Sequence, residues 1–180
     1  EQIHYVIGPV KDLVPLRKEV EIVGKYVFLL NCRIQGNIQF EVLTNHLDTL
    51  MVPKLILQPI VENAYIHGIK PKGGKGRIFM ETSRTEGNLE ISIMDDGVGM
   101  DEEQLTQMKK LLAGDAIGIK DEYNWKSIGL KNVHDRIRYL YGEEYGVKVT
   151  SSPGFGTIVR LLLPLMEGEN TYDQNDYRRR

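Results

Sequence analysis

Apolar residues recur along the N-terminal part of the chain at helical spacing. Leu16, Val20, Val23, Val27, Leu30 and Ile34 stand four, three, four, three and four residues apart. That rhythm puts them on one side of a helix. Pro15 sits where such a helix begins, because the first turn does not need its missing N–H. The spacing predicts one long helix over residues 15–34. Its seam packs either on the domain's own core or, since the spacing is also that of a heptad, on a second helix or a dimer partner. Gln35-Gly36-Asn37 ends it.

Beyond this point the period shortens to two. Residues 38–44 and about 47–51 read as two short strands around an Asn45-His46 turn. "RIFMETS" and "LEISIMDDG" read as paired strands joined by Thr85-Glu86-Gly87-Asn88. In the second of these, Leu89, Ile91 and Ile93 point one way, with Glu90 and Ser92 opposite. Residues 146–151 and 156–163 read as a final hairpin around "SPGFG". Helices are expected at "LQPIVENAYIHG" (57–68), after Pro53, and at 128–141, the latter closed by Gly142. "PKGGKG" (71–76) is a loop. Residues 101–127 hold Gly114 and Gly118 and lack a clean period, so they read as a long, partly helical lid. The order predicts an α+β fold whose helices cover one face of a sheet built from antiparallel hairpins.

Composition narrows the picture. The 180 residues are 41% hydrophobic, enough for a real core, and the net charge of −2 makes no electrostatic case for nucleic acid or an anionic membrane. A single cysteine, Cys32, excludes an internal disulfide and a cysteine zinc site, and it fits a reducing cytoplasm. The longest apolar runs fall far short of a spanning helix. No signal peptide opens the chain. It starts at Glu1 in the middle of a pattern, so a piece of something longer is expected. The polar stretch from Glu167, ending in three arginines, is expected to be disordered.

The chemistry lies at four places. The helix "LQPIVENAYIHG" is mostly apolar yet carries Glu62, Asn63 and His67, polar groups that need partners if buried. "DDGVGM" (95–100) puts Asp95 at a strand tip, where it could accept from an exocyclic amine, and Gly97 and Gly99 let backbone approach a ligand. "SIGLKNVHDRI" (127–137) opens a helix on a glycine, and free N–H groups at such a terminus favour phosphate. "SSPGFGTIV" (151–159) is a glycine turn with a threonine entering a strand. Singly, these also read as an acidic turn, a plain helix start and a simple hairpin. No GxxxxGK[ST] phosphate loop occurs.

Taken in order, the four resemble the boxes of the GHKL ATP-binding domain, the Bergerat fold of histidine kinases, gyrase-type ATPases, Hsp90 and mismatch-repair proteins. The resemblance spans about residues 38–164. "LQPIVENAYIHGI", "IMDDGVGM" and "GLKNVHDRIRYLYG" resemble sensor histidine kinases of the LytS/YesM type, and "VPLRKEVEIVGKYVFLLNCRI" resembles that branch's link to its phosphoacceptor region. The resemblance implies a two-layer α/β sandwich with a mixed, mostly antiparallel sheet. Residues 1–36 would end the phosphoacceptor and dimerisation region, 37–166 would form the ATP-binding catalytic domain, and 167–180 a disordered tail.

It also implies ligands and roles. ATP and Mg²⁺ would be the cofactors. Asn63 would ligate Mg²⁺ through its side-chain oxygen, with Glu62 hydrogen-bonded near the metal water or phosphates. His67 and Gly68 would close the helix beside the nucleotide. Asp95 would accept from the adenine N6 amine, with Gly97, Gly99 and Met100 lining the base. Gly129, Leu130 and Asn132 would sit where the lid meets the phosphates, and Thr157 would support the adenine end beside Gly154 and Gly156.

Two positions depart from the pattern. Ser127 stands where the branch often has glycine. Pro59 stands four residues before Asn63, where gyrase-type ATPases place the glutamate that activates water, which argues for transfer to another acceptor rather than hydrolysis. The family's phosphoacceptor histidine has no counterpart, since His4, His46, His67 and His134 all lack its context. The implied partners are that upstream histidine region, a response regulator, and a second copy in a full-length homodimer anchored to a membrane. An anti-sigma-factor-like serine kinase and a nucleotide-gated dimerisation module are the alternatives on the same fold.

Overall fold

The computed structural model describes residues 13–34, 37–44, 47–115 and 121–168, with only the backbone of 34 and 121–127. Its centre is a five-stranded sheet in the spatial order β2 (Asn37–Leu43), β4 (Lys75–Thr85), β5 (Asn88–Asp95), β7 (Gly156–Pro164), β6 (Gly146–Ser152). β2 runs parallel to β4, and the other pairs are antiparallel. Two short strands, β1 (Leu13–Pro15) and β3 (Met51–Pro53), pair antiparallel away from it.

The pleat explains which face is covered. Alternate residues of a strand point to opposite sides, so the register aligns Val42, Met80, Ile93, Val159 and Val149 in one row across all five strands. Met80, Ile93, Val159 and Val149 of that row are buried. Each such side chain withdrawn from water contributes about 1.5–3 kcal/mol. The opposite face is polar: Arg160 pairs with Glu90, and the Arg77 guanidinium lies over the Phe79 ring.

Four helices complete the layer. α1 (Leu16–Ile34) buries Leu16, Val23 and Val27 in the same core that receives the sheet, while Val20 and Leu30 pack at its edge. α2 (Gln58–Asn63) contributes Ile60 and Val61, and α4 (Asp121–Tyr141) contributes Leu130, Val133 and Ile137. α3 (Glu102–Leu112) packs against α4 and β6. The expected α+β sandwich and mixed sheet are therefore present, and the predicted pairings of "RIFMETS" with "LEISIMDDG" and of 146–151 with 156–163 are both formed.

Four details differ from the sequence reading. The stretch after β2 does not fold back on it as a hairpin: β2 pairs with β4, β3 pairs with β1, and the Asn45-His46 turn lies outside the described residues. α2 does not end at His67-Gly68 but continues as a wide π-helical segment over Ala64–Ile69 and a short 3-10 turn, stopping at Gly73 with φ 94°. The 101–127 stretch contains the capped helix α3 and the first turns of α4, which starts at Asp121 rather than 128. Glu167 and Gly168 are tied down, since Glu167 bridges Leu50 and pairs with Arg84, and Gly168 N–H donates to Thr49. The remainder of the tail lies outside the described residues.

Candidate nucleotide site

At one end of the covered sheet face the apolar rows give way to polar ones. The row beyond Ile93 holds Ile78, Asp95, Thr157 and Ser151 in register. Asp95 thus continues the inward period of Leu89, Ile91 and Ile93, and the pleat carries its carboxylate into the interior. It is 8% exposed. Its Oδ1 accepts from the Gly97 N–H at 2.8 Å, and the Thr157 N–H also donates to it. Burial nevertheless outweighs both bonds and pushes its pKa up to about 6, with Asp96 adding to the rise and Lys72 opposing it.

The neighbouring aspartate does different work. Asp96 faces outward, accepts from the Arg77 N–H at 2.9 Å and pairs with Lys72 and Arg77 at 3.4 and 3.6 Å. Partial burial works against its ionised form, but the Arg77 amide and the Lys72 and Arg77 cations prevail and hold its pKa below the usual value. Of the pair, Asp95 is the inward carboxylate and Asp96 a clamp on the start of β4.

Glycines pack the wall behind Asp95 because nothing larger fits. A Cβ on Gly68 would come 2.5 Å from Asp95 Oδ1, one on Gly97 would strike the Gly68 backbone, and one on Gly156 would strike the Asp95 carbonyl. Gly99 (φ 70°) and Gly156 (φ 86°) also hold left-handed backbone, which side chains resist.

In front of this wall lies a cavity of about 290 Å³. Asn63, Ala64, His67 and Gly68 of the α2 segment form one side, Ile93, Thr157 and Val159 the floor, and Val98, Gly99 and Met100 the rim. Gln104, Gln107, Met108 and Leu111 of α3 and Leu130 of α4 close it. The Asn63 amide nitrogen and the Gln107 amide oxygen are buried without a hydrogen-bond partner, a costly state that a polar ligand would relieve.

Most of the expected residues meet here: Asn63, His67, Gly68, Gly99, Met100, Leu130 and Thr157 line the cavity, with Asp95, Gly97 and Gly156 directly behind. Others stand apart. Glu62 is absent from the lining, and its carboxylate accepts from Gln58 at 2.8 Å. Asn132 is exposed on α4 and is absent from the cavity lining. Gly129 does not open a helix but lies within α4, where an ideal Cβ would be 3.5 Å from Pro59 and 3.8 Å from the Asn63 nitrogen. A Cβ there would sit in ordinary contact, so packing does not demand the glycine, and its N–H is not at a helix terminus. Gly154 donates to the Val98 carbonyl at 2.7 Å, pinning the hairpin to the rim. The Ser127 side chain lies outside the described residues.

Sequence reading missed the α3 wall and Ser151. Asp101-x-x-Gln104 forms a reciprocal capping box, and Leu105, Met108 and Leu112 follow at helical spacing, so the signal existed. Ser151 Oγ accepts from the Met100 N–H, donates to the Gly156 carbonyl and contacts Thr157 Oγ1, joining rim to hairpin.

The donor set suits Mg²⁺ held by few protein ligands. Among the described residues no group of three or more His, Cys, Asp or Glu is placed to hold a metal. The Asn63 amide is a hard oxygen donor on the cavity wall, and Mg²⁺ is commonly held by one or two protein oxygens with waters and nucleotide phosphates.

A two-layer sandwich with an inward aspartate, a glycine-packed wall and an asparagine helix over one cavity defines a nucleotide-binding domain. Residues 51–167 match the family described as histidine kinase-, DNA gyrase B- and HSP90-like ATPase, and the chain belongs to that family, which implies ATP use. Among its relatives, the sensor histidine kinase YesM of Bacillus subtilis is 27% identical over 155 residues, covering 86% of this chain and 24% of that protein. Sensor protein LytS of Oceanobacillus iheyensis is 29% identical over 156 residues, 86% of this chain and 26% of that protein. The resemblance to the LytS/YesM type is thereby borne out, and the chain spans about a quarter of the length of these relatives. The solved catalytic domain of histidine kinase ThkA shares the fold, with a TM-score of 0.61 at 16% identity over 87% of this chain and 97% of that one.

Proposed function

We propose that this chain is the ATP-binding catalytic domain of a two-component sensor histidine kinase that transfers the ATP γ-phosphoryl to a histidine in an upstream region. The observation that carries the reading is the cavity itself, with the Asp95 carboxylate directly behind its wall and an asparagine-bearing helix along its side. Asp95 accepts from the adenine N6 amine, and GTP is rejected because its O6 would face that carboxylate. Asn63 would hold Mg²⁺, which when bound would neutralise charge on the phosphates. Glu62, whose carboxylate accepts from Gln58 outside the lining, is given no contact with the nucleotide.

Pro59 supports transfer over hydrolysis. It occupies the first turn of α2 against Gly129 and carries no base. Phosphoryl transfer is mainly positioning plus charge stabilisation, so the acceptor imidazole must be held in line with the γ-phosphate, displacing ADP as the leaving group. A response regulator then takes the phosphoryl, and the full-length protein works as a membrane-anchored homodimer with this domain in the cytoplasm. No helix among the described residues is long and apolar enough to cross a membrane.

The test is nucleotide titration with and without Mg²⁺. Parent chain should bind ATP well and GTP poorly. Asp95→Ala should cost about 1–3 kcal/mol of ATP affinity by leaving the amine unpaired, and Asn63→Ala should abolish the Mg²⁺ dependence. Equal binding of ATP and GTP defeats the Asp95 assignment.

A further inference from the structure

We infer that Glu19 is a positioning residue for the metal and phosphate end of the nucleotide site, acting through the turn that leads into α2; the inference rests on the nucleotide reading above. Glu19 lies on α1, outside the cavity lining, and is 2% exposed. Its carboxylate accepts from three consecutive backbone amides, Leu55 at 2.7 Å, Ile56 at 2.9 Å and Leu57 at 3.2 Å. These are separated from it by 36 to 38 residues of chain.

α2 needs this anchor because it has none of its own. Its N-cap is Leu57, whose side chain makes no cap hydrogen bond, and no acidic residue occupies its first turn. An anion at a helix N-terminus meets the positive end of the helix dipole, and successive N–H groups form a natural nest for it. Glu19 supplies from another helix what the local sequence omits. The turn also contains Leu55 with φ 56°, a conformation a leucine adopts only when its surroundings impose it. α4 grips the same turn from elsewhere, since the Arg136 guanidinium donates to the Lys54 carbonyl at 2.6 Å.

The two ends of the α2 segment are therefore held by different things. The far end is tied to the sheet side of the site, because the Val98 N–H donates to the Gly68 carbonyl at 3.0 Å and Gly68 abuts Asp95. The near end is tied to α1 through Glu19. Asn63 lies between, about 9 Å along the helix from Leu57 at the usual rise per residue. Releasing the near end lets Asn63 swing while Asp95, Gly97 and Thr157, carried by the sheet, stay in place. Glu19 thus sets the metal end of the site and leaves the adenine end alone.

The experiment separates those ends. Glu19→Ala and Glu19→Gln are compared with the parent chain by calorimetric titration of Mg·ATP, of ATP in chelator and of adenosine, at a temperature where circular dichroism reports each variant folded. Amide hydrogen exchange at residues 55–57 is followed in parallel. Glu19→Ala should weaken Mg·ATP about tenfold and accelerate exchange at those amides, a modest effect for loss of several charge-assisted bonds. Adenosine affinity should stay within about twofold, the scatter expected for sites that do not share partners. Glu19→Gln keeps one carbonyl acceptor and should fall between. Equal weakening of Mg·ATP and adenosine, or no weakening of either, overturns the inference while the nucleotide reading stands. A parent chain whose ATP affinity ignores Mg²⁺ overturns the Asn63 reading, and the inference with it.

Discussion

Asp95 and His134 are buried titratable groups whose protons move stability in opposite directions. The Asp95 carboxyl, pushed from 3.8 to about 6, binds its proton more tightly folded than unfolded. Its contribution to stability is full below pH about 3.8 and is lost as pH rises through about 6. An adenine amine donates to the ionised form, so adenosine, which has no phosphates to titrate, should bind less tightly as pH falls below 6. The loss approaches about tenfold per pH unit. Asp95→Asn should flatten the profile, and a flat profile in the parent would show that the carboxylate does not meet the base. His134 behaves the other way. Its Nδ1 accepts from the Val147 N–H at 3.0 Å and must be unprotonated there. Burial first, then Arg138, lowers its pKa from 6.5. A depressed folded value means stability present above pH about 6.5 and lost as pH falls, so His134→Gln should remove part of the acid destabilisation seen in denaturant titrations at pH 7.5 and 5.5. At Gly156, where an added Cβ meets the Asp95 carbonyl at φ 86°, substitution by alanine should abolish nucleotide binding or folding, as circular dichroism and titration would reveal.

At the scale of elements, α3 is where pattern reading and structure part most. Gly114, Gly118 and the lack of a clean period over 101–127 obscured the helix, although its capping box lies in plain sight at Asp101 and Gln104. Asp101→Ala removes the side-chain acceptor for the Gln104 N–H and should cost the helix about 1 kcal/mol. Hydrogen exchange should then speed up over 105–112, and nucleotide affinity should drop because α3 closes the cavity. Unchanged exchange there would mean that packing on α4 alone holds the helix. α4 illustrates the converse error. Gly129 looks like a helix start, but a glycine inside a helix costs only about 1 kcal/mol relative to alanine, and α4 runs straight through it. The β2 error has a related cause: an alternating run declares a strand, yet nothing in the run names its neighbour, and β2 found β4 instead of the next segment.

For the molecule as a whole, the proposed reading gives Asp95 the adenine and Asn63 the metal, and assigns no acceptor among the described residues. His67 sits in the cavity wall and His134 is buried against Val147, while His4 and His46 lie outside the described residues. Incubated alone with γ-labelled Mg·ATP, the chain should bind nucleotide without labelling itself and hydrolyse only a trace. Labelling should appear when the upstream histidine region is joined to it, or added in trans at concentrations high enough to offset the missing tether. An acid-labile phosphate on any of the four histidines of the isolated chain would place the acceptor inside it.

Local pattern determined a good deal of this protein. Period-two runs mark β4, β5, β6 and β7, the 4-3-4 seam marks α1, and the inward sequence Leu89, Ile91, Ile93 already points Asp95 to the same side, because pleat and helical rise are properties of the local backbone. The stretches around Asn63, Asp95 and Thr157 were legible as a set through their resemblance to a known family, and the structure brings these residues to one cavity and the wall behind it. Tertiary structure decided what depends on residues distant in sequence. It paired β2 with β4, buried Asp95 while giving Asp96 its Lys72 and Arg77 partners, and set α3 as a cavity wall. It also brought Glu19 to the amides of residues 55–57, across some 36 residues of chain. No window of sequence contains both ends of that contact. A buried carboxylate has to find donors somewhere, but which backbone supplies them is settled only when the helices pack.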